Sequence, residues 1–298
     1  MSKLIPFLLL AGCSAAGAYV LRAHPGPQDQ RDSAPDAFVY EQVGGRDLKL
    51  YVFEPPMSDY RKPRGAVVLF HGGGWNAGSA AEIFGQAGYF ASLGMVGISV
   101  EYRLADGKNI TPFEAVEDAK ASLRWVRGHA AVLNVDPKKI TAYGESAGAL
   151  LAAATAIIGE NPTEEDLNAV PNAMVLFSPA LNVEQNERFR KLAGAGRDVA
   201  SISPVRHVRK AMPPTIILTG ALDELVPSTI LIDYCDKMKQ AHNRCELEIY
   251  PGVGHMLEPP GEQGTGNGNS SKTKYDAFLK LDQFLLSLGF LPQVARKN

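Results

Sequence analysis

A serine between glycines, Gly144-Glu145-Ser146-Ala147-Gly148, is the segment of this chain with the clearest chemical potential. A serine hydroxyl is a weak nucleophile. It attacks a carbonyl only when a base takes its proton, and the base needs a carboxylate to orient it. The surrounding residues predict a strand over 140–143 and a helix from Ala147, so Ser146 falls on a sharp strand–turn–helix connection with its hydroxyl at the edge of a sheet. Bulk two residues to either side would strike the neighbouring strand and helix, and Gly144 and Gly148 avoid it.

A second segment, His71-Gly72-Gly73-Gly74-Trp75, directly follows a predicted strand over 65–70. Acyl transfer places negative charge on a carbonyl oxygen, and backbone N–H groups fixed in advance stabilise that charge. Three glycines let the chain aim its amides without side-chain obstruction. Gly73 and Gly74 are the expected donors, with the Ala147 N–H completing the oxyanion hole. Trp75 and Glu145 are the expected substrate contacts. A phosphate-binding loop does not fit, because neither glycine-rich nucleotide fingerprint occurs.

The chain has six histidines. His24, His71, His129, His207 and His242 fall in an N-terminal tether, the glycine loop, a helix end, a strandless segment and a helix C-terminus. His255 alone follows the last predicted strand, in Gly252-Val253-Gly254-His255, at the C-terminal edge where open α/β sheets place their sites. The acid should leave the preceding strand, 216–219, and Asp223 does. Glu224 is adjacent, while Asp233 and Asp236 lie within a helix. Ser146, Asp223 and His255 are therefore the expected catalytic residues.

These residues need a frame. Predicted strands over 38–43 and 48–53 make a hairpin about Gly44-Gly45, and further apolar runs occur at 65–70, 95–100, 140–143, 174–177, 216–219 and 247–250. Runs apolar on both faces suit buried parallel strands. Helical patterns lie between them near 80–92, 112–130, 147–158, 228–241 and 273–288. The second carries a 3.6-residue stripe of Phe113, Val116, Ala119, Leu123 and Val126. This alternation predicts an α/β fold: a mostly parallel central sheet with helices on both faces and an antiparallel N-terminal hairpin. Residues 179–213 interrupt it and read as a small lid insertion. Residues 259–272, rich in Pro, Gly, Ser and Asn, read as a mobile loop.

With these motifs the chain resembles the α/β-hydrolase superfamily, in the branch that has an HGGGW loop and a GESAG elbow. That branch includes hormone-sensitive-lipase-like esterases and acetyl-xylan and feruloyl esterase-like proteins. The likeness covers residues from about 38 to 291, with Glu101-Tyr102-Arg103-Leu104 and Asp136-Pro137 in support. It implies that Arg103 and Asp118 are structural. Ala149 stands where lipase-like members often have a second glycine, and a long N-terminal helical cap is not evident. The resemblance implies a serine carboxylesterase for short acyl chains or carbohydrate-linked acetyl or feruloyl esters, with no metal or organic cofactor. A serine peptidase of the same fold and a catalytically inactive binding lipoprotein are the alternatives.

The balance of 30 Lys+Arg against 32 Asp+Glu, without a dense basic cluster, excludes an electrostatic footprint for nucleic acid. The substrate is then a small ester or an acylated polysaccharide. At the N-terminus, Lys3 precedes an apolar run, 4–11, too short for the roughly 20 residues of a membrane span. The run ends in Leu10-Ala11-Gly12-Cys13, which resembles a bacterial lipobox, with an ordinary secretory signal as the other reading. The expected organisation is a signal peptide over 1–12, a flexible tether over 13–37 lipidated at Cys13, and one domain over 38–298. The membrane is met only through the lipid, and an outer-membrane or periplasmic location follows. In an oxidising compartment, Cys235 and Cys245 are expected either to close a helix–strand disulfide or to remain buried thiols.

Overall fold

The apolar runs become the strands of one sheet in a computed structural model that describes residues 34–56, 62–159, 161–259 and 271–292. The strands are β1 (Asp36–Val43), β2 (Arg46–Phe53), β3 (Arg64–Phe70), β4 (Val96–Val100), β5 (Val135–Glu145), β6 (Ala173–Phe177), β7 (Thr215–Gly220) and β8 (Cys245–Tyr250). Their spatial order is β1-β2-β4-β3-β5-β6-β7-β8. β1 and β2 form the hairpin, β2 pairs antiparallel with β4, and every later pairing is parallel. The expected signal peptide, Cys13, nearly all of the expected tether and most of the segment 259–272 lie outside the described residues.

Period-two alternation divides the sheet between two cores. On β3, Ala66, Val68 and Phe70 face a layer built by α2 (Pro112–Gly128), α3 (Ala147–Ala154) and α6 (Ser228–Gln240). Val67 and Leu69 face α1 (Phe84–Ser92) and α7 (Ser271–Ser287) on the other side. Parallel strands covered on both faces have to read as continuous apolar runs, which is why the strands were visible. α2 starts where chemistry starts it: Thr111 and Glu114 form a reciprocal capping box around Pro112 at the first helical position. Its Val116, Leu123 and Val126 are fully buried. Arg103, just past β4, grips the buried carboxylate of Asp118 through Nε and Nη2, fixing α2 to the sheet.

Boundaries differ from expectation, as in β5, which begins at Val135 and not at residue 140. α3 stops at Ala154, short of 158, and α4 (Glu164–Ala169) was not expected, because it is one short turn-and-a-half without an apolar stripe. Between β6 and β7 the chain forms α5 (Glu187–Ala193) and two 3₁₀ turns, Val199–Ile202 and Pro204–Arg206. Phe189 of α5 is fully buried, so this insertion is anchored to the domain. Cys235 of α6 and Cys245 of β8 are joined by a disulfide, with Cα atoms 5.4 Å apart. No helix among the described residues is long and apolar enough to cross a membrane.

Candidate active site

β5 runs into α3 through Ser146, whose backbone sits at φ 52°, ψ −113°. For a residue with a Cβ this is strained, and strain of that kind persists only where the surroundings over-determine it. Here the Ser146 N–H donates to the Phe177 carbonyl of β6 at 2.8 Å, and the Ser146 carbonyl accepts the Ala149 and Leu150 amides of α3. Gly148 is needed because a Cβ there would fall on the carbonyl oxygens of Phe70 and His71.

The connections after β7 and β8 converge on the same point. Asp223, 6% exposed, places Oδ2 at 2.9 Å from His255 Nδ1, and His255 Nε2 lies 2.8 Å from Ser146 Oγ. A carboxylate only accepts, so Nδ1 carries the proton and Nε2 is left to receive one. Burial alone would raise the Asp223 carboxyl. The His255 ring, the Val226 amide and the Ser178 hydroxyl outweigh it and hold the carboxyl below its ordinary pKa. Leu225 and Val226 donate their amides to Oδ1 at 3.0 and 2.9 Å, which leaves Oδ2 for the imidazole.

The glycine loop after β3 runs beside Ser146, with Gly73 at φ 113° and Gly74 at φ 58°. A Cβ on Gly73 would collide with the Ala77 carbonyl. Among the described residues, neither the Gly73 nor the Gly74 N–H donates to a carbonyl. The Ala147 N–H is the first of α3 and has no partner within the helix. His71 braces the loop from beneath: it stacks on Tyr102 at 4.3 Å, and the Tyr102 hydroxyl donates to the His71 carbonyl. Burial lowers the His71 pKa, which favours the neutral ring. Among the described residues, no cluster of three or more His, Cys, Asp or Glu side chains is arranged to hold a metal ion.

This combination of sheet, elbow and glycine loop is matched by a family model described as the alpha/beta hydrolase fold, over residues 67–258. The chain belongs to this family. A solved structure of Thermogutta terrifontis esterase 2, phosphoramylated by tabun, is 36% identical, covers 92% of this chain and 100% of its own, and superposes with a TM-score of 0.76. Carboxylesterase NlhH of Mycobacterium tuberculosis is 28% identical over 78% of this chain and 82% of its own length. An acetylxylan esterase of Xylanibacter ruminicola is 28% identical over 64% of this chain and 40% of its own length.

In this α/β hydrolase two expected substrate contacts are committed elsewhere. Trp75 is only 3% exposed and meets Phe189 edge-on at 4.9 Å, so it is a core residue that ties the glycine loop to α5. The aromatic partner that buries it comes from the insertion. Glu145 accepts hydrogen bonds from Tyr143 at 2.8 Å and Gln86 at 2.9 Å, and burial raises its carboxyl pKa. It locks the elbow from behind. Ser178 and Gln86 were not legible beforehand. Ser178 follows β6 without any motif, and Gln86 lies 59 residues from Glu145 in sequence.

Proposed function

We propose that this chain is a serine carboxylesterase in which Ser146 is the nucleophile, His255 the general base and Asp223 the group that orients and stabilises the imidazole. The Asp223–His255–Ser146 relay, at 2.9 and 2.8 Å, carries this reading. His255 Nε2 accepts the Ser146 proton as Oγ attacks the ester carbonyl. The Gly73, Gly74 and Ala147 amides hold the resulting oxyanion. The C–O bond to the alcohol breaks, and the alcohol leaves with the proton from His255. Water then repeats the sequence in reverse roles and releases the acid and free Ser146.

Esters of short acyl chains, and acetyl or feruloyl esters of carbohydrate, are the proposed substrates. The similarity to an acetylxylan esterase supports this, as does an insertion over the sheet edge built only from α5 and two 3₁₀ turns. Replacing Ser146 with Ala should abolish turnover of p-nitrophenyl acetate and labelling by a fluorophosphonate while the circular dichroism spectrum is kept. Retained turnover overturns the assignment. Comparing p-nitrophenyl acetate with longer esters, acetylated xylan and methyl ferulate tests the acyl and alcohol preferences.

Export with a lipid at Cys13 is also proposed, on the Leu10-Ala11-Gly12-Cys13 segment and on a disulfide between Cys235 and Cys245 that suits an oxidising compartment. Metabolic incorporation of an alkyne palmitate, lost in Cys13→Ser, is the expected result. Incorporation that survives the substitution overturns it.

A further inference from the structure

The insertion between β6 and β7 does more than cover the sheet edge. Arg188 of α5 lays its guanidinium over Gly74, where a Cβ built on the glycine would stand 2.6 Å from Cζ and 2.7 Å from Nη2. That glycine is one of the two loop residues assigned above to the oxyanion. α5 is held there by Phe189, the next residue, which is fully buried and packs on both Trp75 and Phe113. Among the described residues one hydrogen bond steers the guanidinium, Nη2 donating to Asn76 Oδ1 at 2.7 Å.

The partner is an amide, and this separates Arg188 from three other arginines of the chain. Arg103 is paired with Asp118, Arg197 with Glu114 and Arg206 with Glu184. Among the described residues, no carboxylate lies within ion-pair distance of Arg188. A neutral amide orients a guanidinium without neutralising it, and leaves most of its five N–H donors open. Such a fork is suited to grip a carboxylate through two parallel hydrogen bonds.

We infer that Arg188 is a specificity-determining residue that selects esters carrying a carboxylate a few bonds from the scissile carbonyl. The inference rests on the reading of Ser146 as nucleophile. The Gly74 amide is assigned to the carbonyl oxygen and the guanidinium lies over that same residue, so a carboxylate on a short arm of the ester is the partner proposed for it. Loss of a guanidinium that only clamps the loop would slow all esters alike. One that binds a carboxylate separates charged from neutral esters, and does so less at high ionic strength.

The test compares kcat/KM for mono-p-nitrophenyl succinate against p-nitrophenyl butyrate, which places the charge on the acyl side. The pair 4-acetoxybenzoate and 4-acetoxybenzamide places it on the leaving group. In Arg188→Gln the charged-to-neutral ratio should fall about five- to tenfold for one of the pairs, chiefly through KM, the size expected of one exposed bidentate ion pair. Arg188→Lys should keep part of the ratio, 0.5 M NaCl should erode it in the unaltered enzyme, and Arg190→Gln on the same helix should leave it alone. A ratio that Arg188→Gln does not change in either pair overturns the inference while the esterase reading stands. No turnover of any of the four esters overturns both.

Discussion

The Ser178 hydroxyl oxygen, one residue beyond β6, accepts the backbone amide of Met256 at 3.1 Å. Met256 is the residue after the proposed base, and its backbone is held at φ 57°. The same hydroxyl donates toward Asp223. One buried side chain thus spans the acid and the loop that carries the base. Ser178→Ala removes a donor that stabilises the Asp223 carboxylate, so that carboxyl titrates higher. A hydrogen bond to a charged group contributes about 1.5–3 kcal/mol. The expected outcome is a kcat about five- to tenfold lower for p-nitrophenyl acetate with little change in KM. An unchanged kcat would assign Ser178 to packing alone.

Gly73 tests the glycine loop. Its φ of 113° and the nearby Ala77 carbonyl leave no room for a side chain. Gly73→Ala should turn the loop amides away from the oxyanion and lower kcat for p-nitrophenyl acetate on the order of a hundredfold, the usual cost of losing one such donor. A thermal midpoint close to that of the unaltered protein, measured alongside, separates this from a folding defect.

Much of this site is legible in one dimension because parallel sheets write themselves plainly. Strands buried on both faces read as apolar runs, and the residue types at their C-terminal ends can then be compared directly. Ser146, Asp223 and His255 stood out for that reason, each just past a predicted strand. Gly73 and Gly74 stood out because three successive glycines have little other use. Ser178, Gln86 and Arg188 carry no such mark. Their partners come from other elements, and only the β5-β6-β7 order puts Ser178 beside Asp223. Trp75 is expected as a substrate contact because it adjoins the glycine loop, whereas its environment is set by Phe189, more than a hundred residues later.

The Cys235–Cys245 disulfide ties α6 to β8, the edge strand from which His255 departs. Closing a loop of this length constrains the unfolded chain and stabilises the fold by about 2–4 kcal/mol. The double variant Cys235→Ser/Cys245→Ser should therefore melt roughly 5–10 °C lower. Because neither sulfur lies in the relay, its kcat at 25 °C should hold. Calorimetry with and without reductant checks the first point, since reductant should lower the midpoint of the unaltered protein and leave the double variant unmoved.

Asp282, on α7, is 7% exposed, and its Oδ2 accepts the Tyr89 hydroxyl of α1 at 2.6 Å. Burial raises its carboxyl to about 6, and the Tyr89 hydrogen bond offsets only part of that. An unfolded Asp titrates near 3.9. Between these values the folded chain holds a proton that the unfolded chain has lost, so this group's contribution to stability falls as pH rises from about 4 to about 6 and is constant above. The integrated loss is at most about 3 kcal/mol. Asp282→Asn keeps an acceptor for Tyr89 and has no charge to bury. Its thermal midpoint should exceed that of the unaltered protein by a margin that widens between pH 4 and pH 6.5 and then levels. A margin independent of pH would show that the carboxyl is already ionised across the range, in spite of the apolar layer that α1 and α7 build around it.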